Sequence, residues 1–217
     1  MQIAYRSLEP CAMLSPVPAV MVSCRASAPQ SAPNIITVAW AGTVCSSPPM
    51  VSISLKAERH SYRLIEESGE FAINLVGADR CREMDWCGVN SGRTQDKFAA
   101  CGFEPVPVEG LACAPGIGGS PAIIGCRVKD ILPLGCHSLF LAETVSVRVR
   151  EDLFDEQGNI HLERARLVCY SHGIYQAATQ VLGFFGWSVA RPETLQRRMS
   201  QYQQLMEAPC PGTVRNT

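Results

Sequence analysis

The sequence predicts a mainly β fold, an antiparallel β-barrel with a few short helices, and three observations lead there. Apolar residues recur with period two in several short runs. Turn-forming clusters separate those runs at short intervals. The chain has no β-α-β-α alternation, which argues against a doubly wound parallel sheet.

The elements follow in chain order. Val17 to Cys24 and Ile35 to Ala41 are continuous apolar runs, the pattern of strands covered on both faces. Val51, Ile53 and Leu55 alternate with Ser52, Ser54 and Lys56, so that strand has one core face and one polar face. Phe71, Ile73 and Leu75 alternate with Glu70, Ala72 and Asn74 in the same way, as do Val145, Val147 and Val149 with Ser146, Arg148 and Arg150. Pro121 to Val128 reads as a further strand. The turns fall at Ala28-Pro29-Gln30-Ser31, Ser47-Pro48-Pro49, Gly116-Ile117-Gly118-Gly119 and 155–159, the last a hairpin loop between Phe154 and Ile160.

Four helices are expected. One runs from Ser61 to Ser68, with Ser61 as N-cap and Gly69 just past the end. A second covers Arg80 to Cys87. A third runs from Thr94, as cap, to Cys101, with Lys97 in its first turn and Gly102 as terminator. Near the C-terminus, Leu195, Met199, Tyr202 and Met206 recur at helical spacing between Pro192 and Pro209. The organisation expected is one domain over 1–190 and a helical tail over 191–217.

Composition narrows the function. The 217 residues are 47% hydrophobic and 18% charged, with a formal net charge of -1. That suits a folded core and argues against a nucleic-acid partner, which needs a dense basic face. No apolar run reaches the roughly 18–20 residues of a membrane span. A signal-peptide reading around Ala26-Ser27-Ala28 is opposed by Glu9, Pro10, Pro16 and Pro18, which break the apolar stretch such a peptide needs. The eleven cysteines include no C-x-x-C pair. Many, such as Cys24, Cys45, Cys113, Cys126 and Cys169, lie in apolar or small-residue settings. They read as reduced, packed thiols in a cytoplasmic protein.

Several motifs fail. Gly116-Ile117-Gly118-Gly119-Ser120-Pro121 has proline where a dinucleotide fingerprint needs its third glycine. There is no phosphate loop of the Gly-Lys-Ser/Thr type, no Gly-x-Ser-x-Gly, and no pair of the four histidines at metal-ligand spacing, so no metal is expected. One constellation remains. Arg59-His60-Ser61-Tyr62 and the run Asn90 to Phe98 each join basic residues, a hydroxyl and a helix start. Helix starts carry unpaired N–H groups and a partial positive charge. Brought together around Arg59, Arg93 and Lys97, they would form a phosphate site; apart, they are helix starts with solvated surface charges.

The order of motifs resembles a known family. Asn34-x-x-Thr37-x-Ala39-Trp40 is followed by Cys45-Ser46-Ser47-Pro48-Pro49, Arg59-His60-Ser61-Tyr62, Phe71-Ala72-Ile73-Asn74, Ser91-Gly92-Arg93-x-x-Asp96-Lys97-Phe98, Leu134-Gly135-Cys136-His137-x-x-Phe140 and Gly173-x-Tyr175. From about residue 15 to 190 the chain resembles the flavin reductase-like family of FMN-binding split barrels, which includes the flavoredoxins. The resemblance implies an antiparallel Greek-key split barrel with a C-terminal helix, a homodimer, and FMN near the subunit interface. It implies that Arg59, His60, Ser61, Arg93, Thr94 and Lys97 surround the FMN phosphate and ribityl chain. Asn34, Thr37, Ala39, Trp40, Cys45, Ser46 and Ser47 would bind the cofactor too, those from Thr37 to Trp40 and from Cys45 to Ser47 along the isoalloxazine. His137 would be the catalytic residue, near the face where a nicotinamide or another redox partner arrives. The activity implied is transfer of electrons from NAD(P)H through FMN to a flavin, metal or protein acceptor. Two other functions stay open: an FMN electron carrier without its own nicotinamide site, and a split-barrel module binding some other phosphorylated ligand. Ala39, Ala142-Glu143 and Gln176 to Thr179 depart from the family pattern around the ring, and leave its phosphate end intact.

Overall fold

A computed structural model describes residues 3–28 and 30–207. The N-terminal segment is extended and leads into β1 (Val17–Pro18) and β2 (Val20–Cys24). Then come β3 (Asn34–Val38), β4 (Ala41–Ser46), β5 (Pro49–Leu55), α1 (His60–Ser68) and β6 (Glu70–Asn74). Helices α2 (Cys81–Val89) and α3 (Lys97–Cys101) precede the short strands β7 (Pro105–Val106) and β8 (Gly116–Ile117). Two 12-residue strands follow, β9 (Ala122–Pro133) and β10 (Ser138–Val149). The chain closes with β11 (Val168–Ser171), β12 (Ile174–Ala177) and α4 (Pro192–Glu207).

Seven strands form one antiparallel sheet in the order β3-β2-β6-β9-β10-β5-β4. Its two edges, β3 and β4, are neighbours in sequence, separated only by Ala39 and Trp40. Laid flat, seven strands would hold their edges about 29 Å apart. The link from Val38 to Ala41 spans at most about 11 Å. The sheet must therefore curl until its edges nearly meet, and the expected barrel is a curled half-barrel, split between β3 and β4. Ile35 to Ala41 is accordingly not one strand, as its apolar run suggests. It breaks at Ala39-Trp40, and the Trp40 carbonyl accepts from the Ser54 amide at 2.9 Å.

The curl encloses the main core. Val20, Val22, Cys24, Ile53, Leu55, Phe71, Cys126 and Phe140 fill it, with Leu64 and Ile65 of α1 against one end. A second cluster lies on the opposite face of β2, where Ala19, Met21 and Ile35 meet Met84 and Cys87 of α2, Phe98 of α3, and Phe103. β2 is thus buried on both faces, as its continuous run predicts.

Two alternating patterns misread the burial. Glu70, Ala72 and Asn74 do not face water; all of β6 is buried. The chain from Ala112 to Ile117 covers that face, and the two polar side chains bind its backbone. The Glu70 carboxylate accepts from the amides of Ala112, Cys113 and Ala114, and Asn74 Oδ1 accepts from the Ile117 amide at 2.8 Å. Asn74 Nδ2 donates to Met21 O and Ser23 Oγ. Along β10, Val147 is 57% exposed rather than core-facing. Register shifts at Leu141/Ala142 and Thr144/Ser146 change the face that each residue presents, and past Glu143 β10 pairs only with β9.

The hairpin expected around 155–159 is present, closed by the Phe154–Ile160 bridge. His161 secures it, with Nδ1 2.7 Å from Glu163 Oε1 and Nε2 3.1 Å from Asp155 Oδ2. On α4, Leu195, Met199 and Tyr202 are half-buried while most neighbours are exposed, as a narrow apolar stripe requires. The side chain of Met206 and residues 208–217 lie outside the described residues.

Two predictions concern stability. Asn74→Leu leaves the Ile117 amide without its acceptor in the core, so the unfolding free energy falls by about 2–4 kcal/mol; the urea midpoint measures it. Burial pulls the His161 pKa down, but the hydrogen bonds to Asp155 and Glu163 outweigh it and the net shift is upward. A raised histidine pKa gives stability present below the unfolded value near 6.5 and lost as pH rises through the folded value. The stability gap between the wild type and His161→Gln should be full at pH 5.5 and shrink above pH 7.

Candidate functional site

The break at Ala39-Trp40 leaves the β3 edge without a strand partner, and three adjoining cavities follow that edge. The first, about 430 Å³, is lined by Asn34 and Ile36 of β3, by Glu58 to Ser61 at the start of α1, and by the chain from Gly88 to Arg93 with Lys97. The second, about 160 Å³, shares Ile36 and Arg59 with it and reaches Thr37, Ala39, Trp40 and His137. The third, about 510 Å³, shares Ala39, Trp40 and Ser54 with the second and ends against Cys11 to Leu14 of the N-terminal segment. From Asn34 to Trp40 the trough covers about 20 Å of extended chain.

The first cavity joins an uncapped helix start to basic side chains, features that suit an anion. Helix α1 begins with Arg59 at its N-cap position, no side chain caps it, and its first turn holds no acidic residue. Its first N–H groups are left for water or a ligand. The expected Ser61 cap is not formed. Ser61 is buried instead, and its Oγ accepts from Asn34 Nδ2 at 2.8 Å. Arg93 reaches back across the mouth, with Nη2 donating to the Glu58 carbonyl at 3.0 Å. Gly92 presses against Asn34, so closely that a Cβ there would lie 2.0 Å from Asn34 Oδ1. Gly88 likewise faces Thr37, whose Oγ1 donates to the Met84 carbonyl and ties β3 to α2.

The second expected helix start differs. Thr94 does not cap α3; its Oγ1 donates to Ser91 O. The amides of Thr94 and Gln95 close onto that same carbonyl, so residues 91–95 form a turn of their own. Asp96 is the cap, accepting from the Ala99 amide at 3.1 Å. With a carboxylate already in place and only five residues, α3 offers no anion site, and the anion end belongs to α1 alone.

Lys97 is the most constrained residue of the set. It is 3% exposed, and its Nζ donates to Ile35 O at 2.7 Å and Cys87 O at 2.6 Å. An ammonium has three donors. Two are spent joining β3 to α2, and the third is left for the cavity that Lys97 lines. Burial lowers its pKa. His60 is also held below its usual value, by burial first and then by the charges of Arg93 and Lys97. It is therefore neutral at pH 7, and the positive charge of the cavity comes from arginine and lysine.

At the other end, the Trp40 indole is 48% exposed and tilted against the His137 ring, with centroids 4.6 Å apart. His137 lies on the β9–β10 turn, with Nδ1 3.1 Å from Cys136 Sγ. The structure thus brings Asn34, Thr37, Ala39, Trp40, Arg59, His60, Ser61, Arg93, Lys97 and His137 to one trough. It does not bring Cys45, Ser46 or Ser47 there; they lie toward the far end of the β4–β5 hairpin, where Cys45 pairs with Met50 and Ser46 with Pro49. Thr94 stands outside the lining as well. Sequence reasoning missed Gly88, a close-approach glycine with no turn signal around it, and the wall formed by Cys11 to Leu14, whose place depends on contacts distant in sequence. Among the described residues no cluster of histidine, cysteine and carboxylates could hold a metal, and no helix is long and apolar enough to cross a membrane.

A curled antiparallel half-barrel with an uncapped helix start and an aromatic-walled trough along its split defines the split-barrel class of fold. A family model for the Flavin reductase like domain matches residues 13–178. The chain belongs to the flavin reductase-like family. Flavoredoxin of Desulfovibrio vulgaris (Miyazaki F) has a similar structure, with 31% sequence identity and a TM-score of 0.77 over 83% of this chain and 97% of that one. An uncharacterised protein of Aeropyrum pernix is 30% identical over 115 residues, 52% of this chain and 43% of its own. An FMN reductase (NADH) of Cronobacter sakazakii is 23% identical over 117 residues, 52% of this chain and 66% of its own. The Aeropyrum match thus spans less than half of that relative's length.

Lys97→Ala should act first on the fold. It strips two buried carbonyls of a charged donor, and the unfolding free energy should drop by about 2–4 kcal/mol. Arg93→Ala, at an exposed position, should leave the urea midpoint within about 0.5 kcal/mol of the wild type.

Proposed function

We propose that this chain is an FMN-dependent oxidoreductase that takes electrons from NAD(P)H and passes them to a flavin, metal or protein acceptor. One observation carries the reading: an uncapped helix start flanked by Arg59 and Arg93 opens into a trough that ends at an exposed tryptophan beside a histidine. The residues fit such a cofactor. The α1 amides, Arg59, Arg93 and the free donor of Lys97 bind a phosphate, and Gly92 keeps the wall close without filling the cavity. Ile36 to Val38 offer the edge of β3 that has no strand partner, and its backbone groups suit the polar rim of a flat ring. When bound, FMN supplies the acceptance and release of hydride, or of single electrons, that no side chain in the trough can supply. His137 is proposed to donate a hydrogen bond to the incoming substrate and to hold Trp40 in place. The likeness to an FMN reductase (NADH) supports a nicotinamide donor, and the likeness to flavoredoxin supports the second reading, a carrier reduced by another protein. A homodimer is proposed from the exposed Val44, Leu182 and Phe185, and a cytoplasmic site from the free thiols of the ten described cysteines.

Titration of the purified chain with FMN and with riboflavin tests the cofactor and its orientation together. Arg59→Ala combined with Arg93→Ala should weaken FMN about 10- to 100-fold, since each charge-assisted hydrogen bond contributes about 1.5–3 kcal/mol and water recovers part of it. Riboflavin, which lacks the phosphate, should bind both proteins alike. Equal loss for both ligands would place the phosphate elsewhere. Oxidation of NADH or NADPH by the FMN-loaded chain then separates the two readings: turnover supports the reductase, and tight FMN binding with no turnover supports the carrier.

A further inference from the structure

The wall of the anion cavity has an unusual boundary. Seven of its thirteen lining residues lie between Cys87 and Cys101. Those two cysteines face each other across the base of that segment, with Sγ atoms 3.7 Å apart and neither in a disulfide. Cys87 sits at the end of α2 and is fully buried; Cys101 closes α3 and is half-buried. They share one apolar cluster with Met84 and Phe98. Lys97 lies within the same segment and donates to the carbonyl of Cys87 itself.

We propose that Cys87 and Cys101 form a reversible disulfide that locks the wall of the phosphate cavity and tightens the grip on its ligand. The thiols are already within about 1.7 Å of bonding distance, a gap that small shifts at two helix ends can close. The exchange balances with a low-molecular-weight disulfide such as oxidised glutathione as the oxidant. The Cys101 thiolate, at the more exposed position, attacks one sulfur of the oxidant and releases one glutathione thiolate. The Cys87 thiolate then attacks Cys101 Sγ and releases the second. Two protein thiols are oxidised to one disulfide, and one oxidised glutathione is reduced to two thiols.

Burial pushes the Cys87 thiol up to about 12, and burial raises Cys101 as well. Few thiolates are present at neutral pH, so the pair responds slowly to a sustained oxidising poise rather than to a brief pulse.

The direction of the effect follows from what the bond does to the segment. The free wall is held by Gly92 against Asn34, by Arg93 on the Glu58 carbonyl, and by Lys97 on Ile35 and Cys87. A disulfide at its base leaves these contacts in place and removes freedom from the segment they anchor. A ligand then loses less entropy in ordering it. By linkage, the ligand must favour the disulfide by the same factor that the disulfide favours the ligand.

This inference rests on FMN as the ligand for its second half only. The test incubates the full chain in glutathione buffers of rising oxidised fraction, blocks free thiols, and maps cross-links by peptide mass. FMN is then titrated into oxidised and reduced protein. The expected result is a Cys87–Cys101 cross-link and an FMN dissociation constant about fivefold or more lower in the oxidised form, reversed by dithiothreitol. Cys101→Ser, a change at a half-buried position, should show neither the cross-link nor the difference. Persistence of both thiols across the redox series overturns the proposal, and so does a cross-linked protein with unchanged or weaker FMN affinity. If FMN binds neither form while the cross-link appears, the cofactor reading falls, and with it the claim of a tighter grip.

Discussion

The short link between Val38 and Ala41 is the constraint on which the rest of the structure depends. Two residues join strands that lie at opposite ends of a seven-strand sheet. The sheet has to curl, and the curl creates the core that Phe71 and Phe140 fill. The same link produces the site. Chain that crosses from one sheet edge to the other pairs fully with neither, so the β3 edge stays without a strand partner. An open edge is a liability in most sheets. Here α2, the start of α1 and the N-terminal segment flank it, and together they turn an unpaired edge into the floor of a trough.

Lys97 shows how the site and the fold share one residue. A buried ammonium is costly unless its donors are met. Two carbonyls from different elements meet it, one from β3 and one from the end of α2. The contact fixes the distance between those elements, and so the width of the first cavity. A residue of this kind makes loss of function hard to read, because its removal loosens the walls and deletes a cavity donor at once. Arg93 and Arg59 are the cleaner probes, since they line the cavity from exposed positions and neither is buried in the core.

Much of this was legible from residue patterns, and what was not has physical reasons. Val51, Ile53 and Leu55 follow the alternation rule because β5 has one covered face. Glu70 and Asn74 break it because a segment some forty residues later lies over them, and no local pattern announces a partner that distant. The helix starts were found near their true places but with the wrong caps. Ser61 was spent on Asn34, a buried amide needing a hydroxyl, and Thr94 on the turn that precedes α3. In both cases a hydroxyl had two local uses, and tertiary contact chose between them. The motif run Cys45 to Ser47 shows the reverse limit: proximity in a motif gave no proximity to the trough, because the β4–β5 hairpin carries it away from Trp40.

The distribution of charge explains why one helix start, and not two, became an anion site. Both starts lie near Arg93 and Lys97, and sequence treats them alike. Asp96 settles the difference. A carboxylate at the cap of α3 neutralises the positive end of a helix too short to hold much of a dipole. At α1 the cap position is an arginine, which satisfies none of the free amides and adds charge of the same sign. Arg59 and Arg93 line the same end, and His60, held below its usual pKa by burial first and then by the charges of Arg93 and Lys97, adds no charge to it. An anion would meet the amides and the cations together. The first cavity thus joins open helix amides and cationic side chains at one helix start, and these are the features that support reading it as the anion end of the trough.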